Sequence, residues 1–478
     1  MNPLPLTPFE EYMLLDSHPA YPMSCFILLR TRGTLRQDVF RESLHRTLER
    51  HPFLRSGVEQ TGRNRYVWKP MPFQDGRQQT ADDGNFVEQS STIPTAVCRL
   101  PSAVCCGIDL FREPALKITY RTDQENAGCM QFEIHHSACD AAGAFGFIED
   151  LMTDYGVAAG VLPADTPRKE IDPSLLERRG KYGLTPRKWL RILPQQLWGL
   201  TRAWMFLMNR VLPLVPFTPN LSQSKPPQNF PAIISKEFDE NETLAIRNIA
   251  KKNEMTLNDL LLYATFAAMQ IMFLTMKKFS NDGKKGYLRI AVPTNLRTDD
   301  VQNISAANIV SMVFLDRKPE KIRLDTDFRR GIHREMAHIK RCNLGLAFIH
   351  GLTIYKKLFG DYRKMIDRGR CWTTGTVSNL GVLLAGTPAN NQYRAGTPAS
   401  PGEFEIIGVE AVPPIRPWSV FGLCASTFQN RLTLTLQYDT TAMTQETAEC
   451  FLNTLAAHCH IPQINIHDGH IKHVHPAR

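Results

Sequence analysis

The stretch Cys129-Met-Gln-Phe-Glu-Ile-His-His-Ser-Ala-Cys-Asp140 decides how this chain is read. Met130, Phe132 and Ile134 alternate with other residues, the period-two pattern of a strand with one buried face. If that register continues, His136 joins the apolar face, while His135 shares the opposite one with Gln131 and Glu133. A turn through Asp140 follows, then a segment that reads as a helix. A histidine at the end of an apolar face is held rigidly and shielded from bulk water. Its ordinary pKa of about 6.5 suits it to take a proton at neutral pH. Asp140 stands where it can orient the turn through an ion pair or a backbone hydrogen bond. The residues alone leave a second reading open, a core histidine satisfied by a neighbour. A metal site is not expected, because adjacent strand residues point to opposite faces and chelate one ion poorly.

Outward from this stretch, the pattern mixes strands and helices in both halves. Thr7 as N-cap, Pro8 at the first helical position and Glu10 three residues after the cap form a capping box. SCFILLRTRG reads as a strand, and Leu35, Val39, Phe40, Leu44 and Leu48 then share one face at helical spacing. The chain leaves that helix through HPFLRSGVEQ. Thr256 and Asp259 make a second capping box before the apolar helix TLNDLLLYATFAAMQIMFL. LRIAVP, NIVSMVFLD and RLTLTLQYD read as strands, the last with Leu432, Leu434, Leu436 and Tyr438 on one face, and a closing helix starts at about Thr444. Between Thr166 and Pro231 the chain is rich in prolines, cations and large apolar residues, as an inter-lobe connection would be. The division expected is a lobe over 1–165, a connection over 166–230 and a second lobe over 231–478.

The composition bounds the class. With 478 residues, 43% hydrophobic and 22% charged, the chain is ordinary globular material with apolar residues for more than one core. Its net charge of +9 favours an anionic partner without identifying it; nucleic acid, coenzyme A phosphates, the acidic surface of an acyl carrier protein and an anionic membrane are the candidates. Nucleic acid is not expected, since there is no Arg-rich run, zinc-ligand spacing or RNA-binding aromatic signature. The 11 cysteines are scattered, with no C-x-x-C pair and one adjacent pair, Cys105 and Cys106, which reads as reduced thiols. MNPLPLTPFEEYMLLD lacks the basic start and apolar run of a signal peptide, so the cytoplasm is the expected location. No run of about 18 uninterrupted apolar residues is present. The segment from Lys188 to Val211, with Trp189, Trp198 and Trp204 among arginines, has two readings. One is packing between lobes, which is the expectation; the other is an interfacial amphipathic helix in peripheral contact with a membrane.

His135-His136-Ser137-Ala138-Cys139-Asp140-Ala141 resembles the HHxxxDG motif of the superfamily that contains chloramphenicol acetyltransferase, nonribosomal peptide condensation domains, plant BAHD acyltransferases, wax ester synthases and alcohol acetyltransferases. LTPFEEYMLL, HPFLRSGV, DLFREPALKI, TLNDLLLYATFAAM, VPTNLR and TVSNLG stand in the order that superfamily uses, so nearly the whole chain is covered. Ala141 departs from the motif's glycine. The resemblance implies an α/β fold of two chloramphenicol-acetyltransferase-like lobes, mixed sheets with helices, forming a V-shaped pseudo-dimer around a central tunnel. It implies that His136 is the general base for transfer of an acyl group from a thioester to an alcohol or amine. Asp140 then pairs with an arginine of the other lobe, for which Arg297 is the candidate, and Ser378 and Asn379 are candidates to face the oxyanion. No cofactor is permanently bound; acyl-CoA or a phosphopantetheine-linked acyl group is the co-substrate, and a monomer is expected. The Trp-bearing middle segment leans toward a long-chain or lipid substrate. The alternatives are a non-catalytic module that binds a carrier protein or partner enzyme, to which Ala141 lends support, and a thioester hydrolase. Cys139 reads as a small buried hydrophobe in the turn rather than a nucleophile, and His467, His470, His473 and His475 read as an exposed tail.

Overall fold

The structure is a computed structural model and describes residues 3–72, 86–90, 107–122, 127–227, 230–277, 285–366, 369–384 and 404–460. Cys105, Cys106 and the four C-terminal histidines lie outside them. In chain order the first part contains β1 (Leu4–Pro5), α1 (Pro8–Asp16), β2 (Ser24–Arg32), α2 (Gln37–Arg50), β3 (Ser56–Gly62), β4 (Arg65–Pro70), β5 (Phe86–Ser90), β6 (Leu116–Thr122), β7 (Ala127–His135) and α3 (Ala141–Ala158). The long helix α4 (Pro186–Met208) follows. The second part contains β8 (Ala232–Phe238), α5 (Glu240–Lys252), α6 (Leu257–Lys277), β9 (Leu288–Asn295), β10 (Val310–Arg317), α7 (Thr326–Arg341), α8 (Gly345–Phe359), β11 (Gly375–Val382), β12 (Glu405–Val412), β13 (Phe421–Phe428), β14 (Arg431–Tyr438) and α9 (Gln445–Cys459).

Local chemistry explains the helix starts. The Thr7 hydroxyl accepts from the Glu10 N–H at 3.3 Å while the Thr7 N–H donates to Glu10 Oε2 at 2.8 Å, which satisfies two otherwise orphaned donors of α1. Thr256 and Asp259 make the same reciprocal pair before α6. α6 has the length and apolarity of a membrane span, yet it is the central core helix of its lobe, with Leu261, Leu262, Ala264 and Phe266 fully buried. On α2, Val39, Phe40, Leu44 and Leu48 are buried and pack with Leu35 against α3 and the first sheet.

Two larger sheets define two lobes. One has the order β12-β2-β7-β6-β5 and the other β10-β9-β11-β13-β14-β8, with a small sheet β1-β4-β3 beside the first. Met130, Phe132 and Ile134 enter the core of the first lobe, and Leu432, Leu434, Leu436 and Tyr438 that of the second. The C-terminal part lends segments to the first lobe. β12 pairs with β2, Val409 opposite Leu29, so a strand from the C-terminal part closes the N-terminal sheet. The β9–β10 connection likewise sends Val301, Ile304, Ala306, Ala307 and Ile309 into the first core. A boundary drawn once along the sequence therefore misplaces β12, because backbone pairing, not chain order, decides which sheet a strand completes.

The connection over 166–230 crosses between the lobes and is anchored on both. Asp172 bridges to Ile304, and Val211 bridges to Tyr287 beside β9. Between them, Arg179 donates to Glu10 Oε1 and Oε2 at 2.7 and 2.9 Å and to the Pro5 carbonyl at 2.6 Å. Glu10 is fully buried and Arg179 almost so, and Trp68 Nε1 also donates to the carboxylate. A single carboxylate thus caps α1 and ties the connection to β4. Arg179→Leu, which strands that carboxylate, is expected to lower unfolding stability by about 3–5 kcal/mol. Replacing Glu10 with Gln in the same chain should recover part of the loss, and denaturant unfolding of the three variants checks both.

Candidate active site

β7 brings the chain to the lobe junction and stops at His135, because residues 136–138 turn and deliver Asp140 to the N-cap of α3. His136 still donates its backbone N–H to the Met23 carbonyl, at 2.7 Å. Its side chain is half-buried, whereas Met130, Phe132 and Ile134 are fully buried. β7 ends at His135, one residue short of His136. His135 does share the opposite face with Gln131 and Glu133, all three buried. Its Nδ1 accepts from the Ser137 N–H at 3.2 Å, and burial, with His136 beside it, pushes its pKa down to about 3. Burial also pushes the Glu133 carboxyl up to about 7, against the opposing pull of Lys117 and Ser24.

Asp140 is the most connected group of the junction. Oδ2 accepts from Arg297 Nη1 at 2.7 Å and from the Ile309 N–H at 2.8 Å; Oδ1 accepts from Arg297 Nη2 at 2.8 Å and from the Gly143 N–H at 3.0 Å. The four donors match the roughly four lone-pair sites of a carboxylate and come from both lobes. Burial pushes the Asp140 carboxyl up, but the Arg297 charge and these hydrogen bonds outweigh it and hold the group below its ordinary value. Arg297 also donates to the Ala307 carbonyl at 3.0 Å. Gly143 is required here: a Cβ at that position would meet Ala307 backbone atoms at 2.9 and 3.0 Å. Ala141 is the first residue of α3 and keeps a negative φ, so its methyl group meets no backbone demand for glycine.

The β9–β10 connection holds His136 from the other side. Asn308 Nδ2 donates to the His136 carbonyl at 2.7 Å. Two residues earlier the Ala306 N–H donates to His51 Nδ1 at 2.9 Å, and His51 Nε2 lies 3.2 Å from Asp150 Oδ2. His51 is buried, which depresses its pKa despite Asp150, so the neutral ring both accepts from Ala306 and donates to Asp150. Reading the sequence left His51, Asp150 and Asn308 without a role; a His-Pro step after an amphipathic helix was the one signal present.

No other side chain bonds the buried Nδ1 of the His136 ring. Burial lowers the ring's pKa, opposed by its own backbone, by the Asp140 charge and by the backbone of Cys139, so the ring is neutral at neutral pH. Cys139 is fully buried, its Sγ 3.0 Å from the Asp140 carbonyl, and burial pushes its thiol well up, which removes thiolate character. Ser378 and Asn379 lie on β11. Ser378 stands opposite Cys424 of β13 in the ladder. Asn379 Oδ1 accepts from the Gly381 N–H at 3.0 Å across a break in strand register. Among the described residues no hydrogen bond joins either of them to His136 or Asp140, and no group of three or more His, Cys, Asp and Glu side chains is arranged to hold a metal ion.

No protein-family model matches the chain, and no curated protein matches it in sequence. Solved structures do. The first condensation domain of the calcium-dependent antibiotic synthetase superposes with a TM-score of 0.66 at 12% identity, covering 96% of this chain and 97% of that one. Trichothecene 15-O-acetyltransferase from Fusarium sporotrichioides gives 0.65 at 11% identity, over 95% and 93% of the two chains. The epimerization domain from the third module of tyrocidine synthetase B gives 0.62 at 14% identity, over 96% of each. The fold is the one these structures share, a mixed α/β architecture of two chloramphenicol-acetyltransferase-like lobes over nearly the whole chain.

The geometry sets two expectations. Arg297→Lys keeps the charge but loses the bidentate fork, and should cost about 1–3 kcal/mol of unfolding free energy, read by denaturant melting. Gly143→Ala should destabilise by a similar amount, about 1–3 kcal/mol, because the Ala307 backbone must move away from α3. In the double variant the two losses should be less than additive, since both act on one contact.

Proposed function

We propose that the protein is an acyltransferase that moves an acyl group from a coenzyme A or acyl-carrier-protein thioester to an alcohol or amine, with His136 as general base. The observation that supports this most is the setting of the His136 ring. Burial holds it toward the neutral form, and it is clamped through its own carbonyl by Asn308 of the other lobe. The Asp140 charge next to it is already neutralised by Arg297. Such a ring can accept a proton without reorganisation of its surroundings.

In the reaction, Nε2 takes the proton of the acceptor O–H or N–H as the acceptor's lone pair forms a bond to the thioester carbonyl carbon. The tetrahedral intermediate then collapses, the C–S bond breaks, and the departing thiolate takes the proton back from His136. No covalent acyl-enzyme is needed. Asp140 and Arg297 act as positioning residues. The resemblance of the fold to condensation domains and to an acetyltransferase is consistent with this chemistry.

The test is turnover of a panel of acyl-CoA donors with pooled alcohols and amines, followed by thiol release and product mass. His136→Ala is expected to lose at least about 100-fold in kcat/KM; undiminished transfer by this variant would refute the assignment. If no CoA donor reacts, the same panel on acyl carrier protein is run, and silence there favours a binding module. The pH profile follows from electrostatics. An imidazolium has no lone pair to accept a proton, so kcat/KM should rise with pH and level off with a midpoint below about 6.5. Arg297→Gln leaves the Asp140 charge uncompensated, which favours imidazolium, so the midpoint should move up.

A further inference from the structure

α4 turns the usual burial of an amphipathic helix inside out. Gln196 and Gly199 stand on the side that meets α8 and the turn before it. Gln196 Nε2 donates to the Asn343 carbonyl at 3.2 Å, and Gly199 lies so close that a Cβ would stand 2.9 Å from Ala347 Cβ. Phe206 extends this side and stacks on Trp372 with ring centroids 5.4 Å apart. The opposite side is apolar and faces solvent: Leu190, Leu197 and Met208 are 66%, 56% and 63% exposed. Their spacings of 7 and 11 residues are close to two and three helical turns, so the three side chains form one stripe. Arg187 and Arg191, both exposed, flank it, and the 23 residues of α4 include no Asp or Glu.

We propose that α4 is a docking helix for an anionic lipid membrane. A helix that lies in a membrane interface needs apolar side chains on one exposed face, a cationic flank and no acids; α4 has Leu190, Leu197 and Met208 exposed on one face, Arg187 and Arg191 beside them and no acid. The cations call for an anionic surface, and the exposed leucines between them favour a lipid one: they can enter the acyl boundary while each Lys or Arg near the anionic leaflet strengthens binding several-fold. The net charge of +9 for the whole chain acts in the same direction. This inference goes beyond the acyltransferase reading and does not depend on it.

The experiment is flotation of the full chain with phosphatidylcholine vesicles, with and without phosphatidylserine. Binding should be at least roughly tenfold stronger with phosphatidylserine and should weaken as salt rises. Two paired variants, Leu190→Glu with Leu197→Glu and Arg187→Glu with Arg191→Glu, should each weaken binding by roughly tenfold or more while circular dichroism and thermal melting stay unchanged. Absence of binding to phosphatidylserine vesicles would overturn the proposal, as would binding that both pairs leave intact. So would a solution dimer, read by light scattering, that the leucine variants dissolve, because the stripe would then belong to a second copy of the chain.

Discussion

The junction of the two lobes depends on the Asp140 carboxylate. Ion pairs taken out of water recover their desolvation cost only where charge and hydrogen bonding are both complete. Here they are: the guanidinium of Arg297 binds both oxygens, and two backbone N–H groups fill the remaining positions. One of those belongs to α3, which starts where β7 and its turn end, and the other leads into β10. The turn that carries His136 is therefore held at its far end by the opposite lobe. Asn308, on the same crossing segment, holds the His136 carbonyl. The base and its clamp form one network.

That network persists because the lobes are not separate bodies joined by a linker. β12 completes the first sheet, the β9–β10 connection fills part of the first core, and the segment after α3 is pinned by Arg179 to Glu10. Further contacts bind the two parts at other points. Tyr21 donates to Asp439 at 2.7 Å, Arg416 pairs with the buried Asp16, and Lys356 pairs with Glu11. Relative motion of the lobes would have to break several of these at once, so the setting of His136 is built into the fold rather than assembled on demand.

The electrostatic arrangement follows from the same constraint. His51, His135 and His136 are all pushed toward the neutral form, chiefly by burial. A bare aspartate next to His136 would work against this. Arg297 removes that conflict, and its own burial cost is outweighed by the Asp140 charge, which raises its pKa. A neutral base thus coexists with a buried carboxylate because the carboxylate's charge is already matched.

What the sequence determined by itself is what neighbours within a few residues decide. The alternation of Met130, Phe132 and Ile134, the reciprocal caps at Thr7 and Thr256, the helical stripe from Leu35 to Leu48 and the buried role of Cys139 are all local, and each was legible. The pairing of Asp140 with Arg297 was reachable only through resemblance, since 157 residues separate them and no periodicity links them. The tertiary structure alone decided the rest. It ended β7 one residue before His136, placed β12 in the first sheet, brought His51 and Asn308 to the crossing segment, and kept the hydrogen bonds of Ser378 and Asn379 away from His136. It also turned the leucines of α4 outward, a choice invisible in the helical pattern, because periodicity says that a helix has an apolar stripe but only packing says which way the stripe faces.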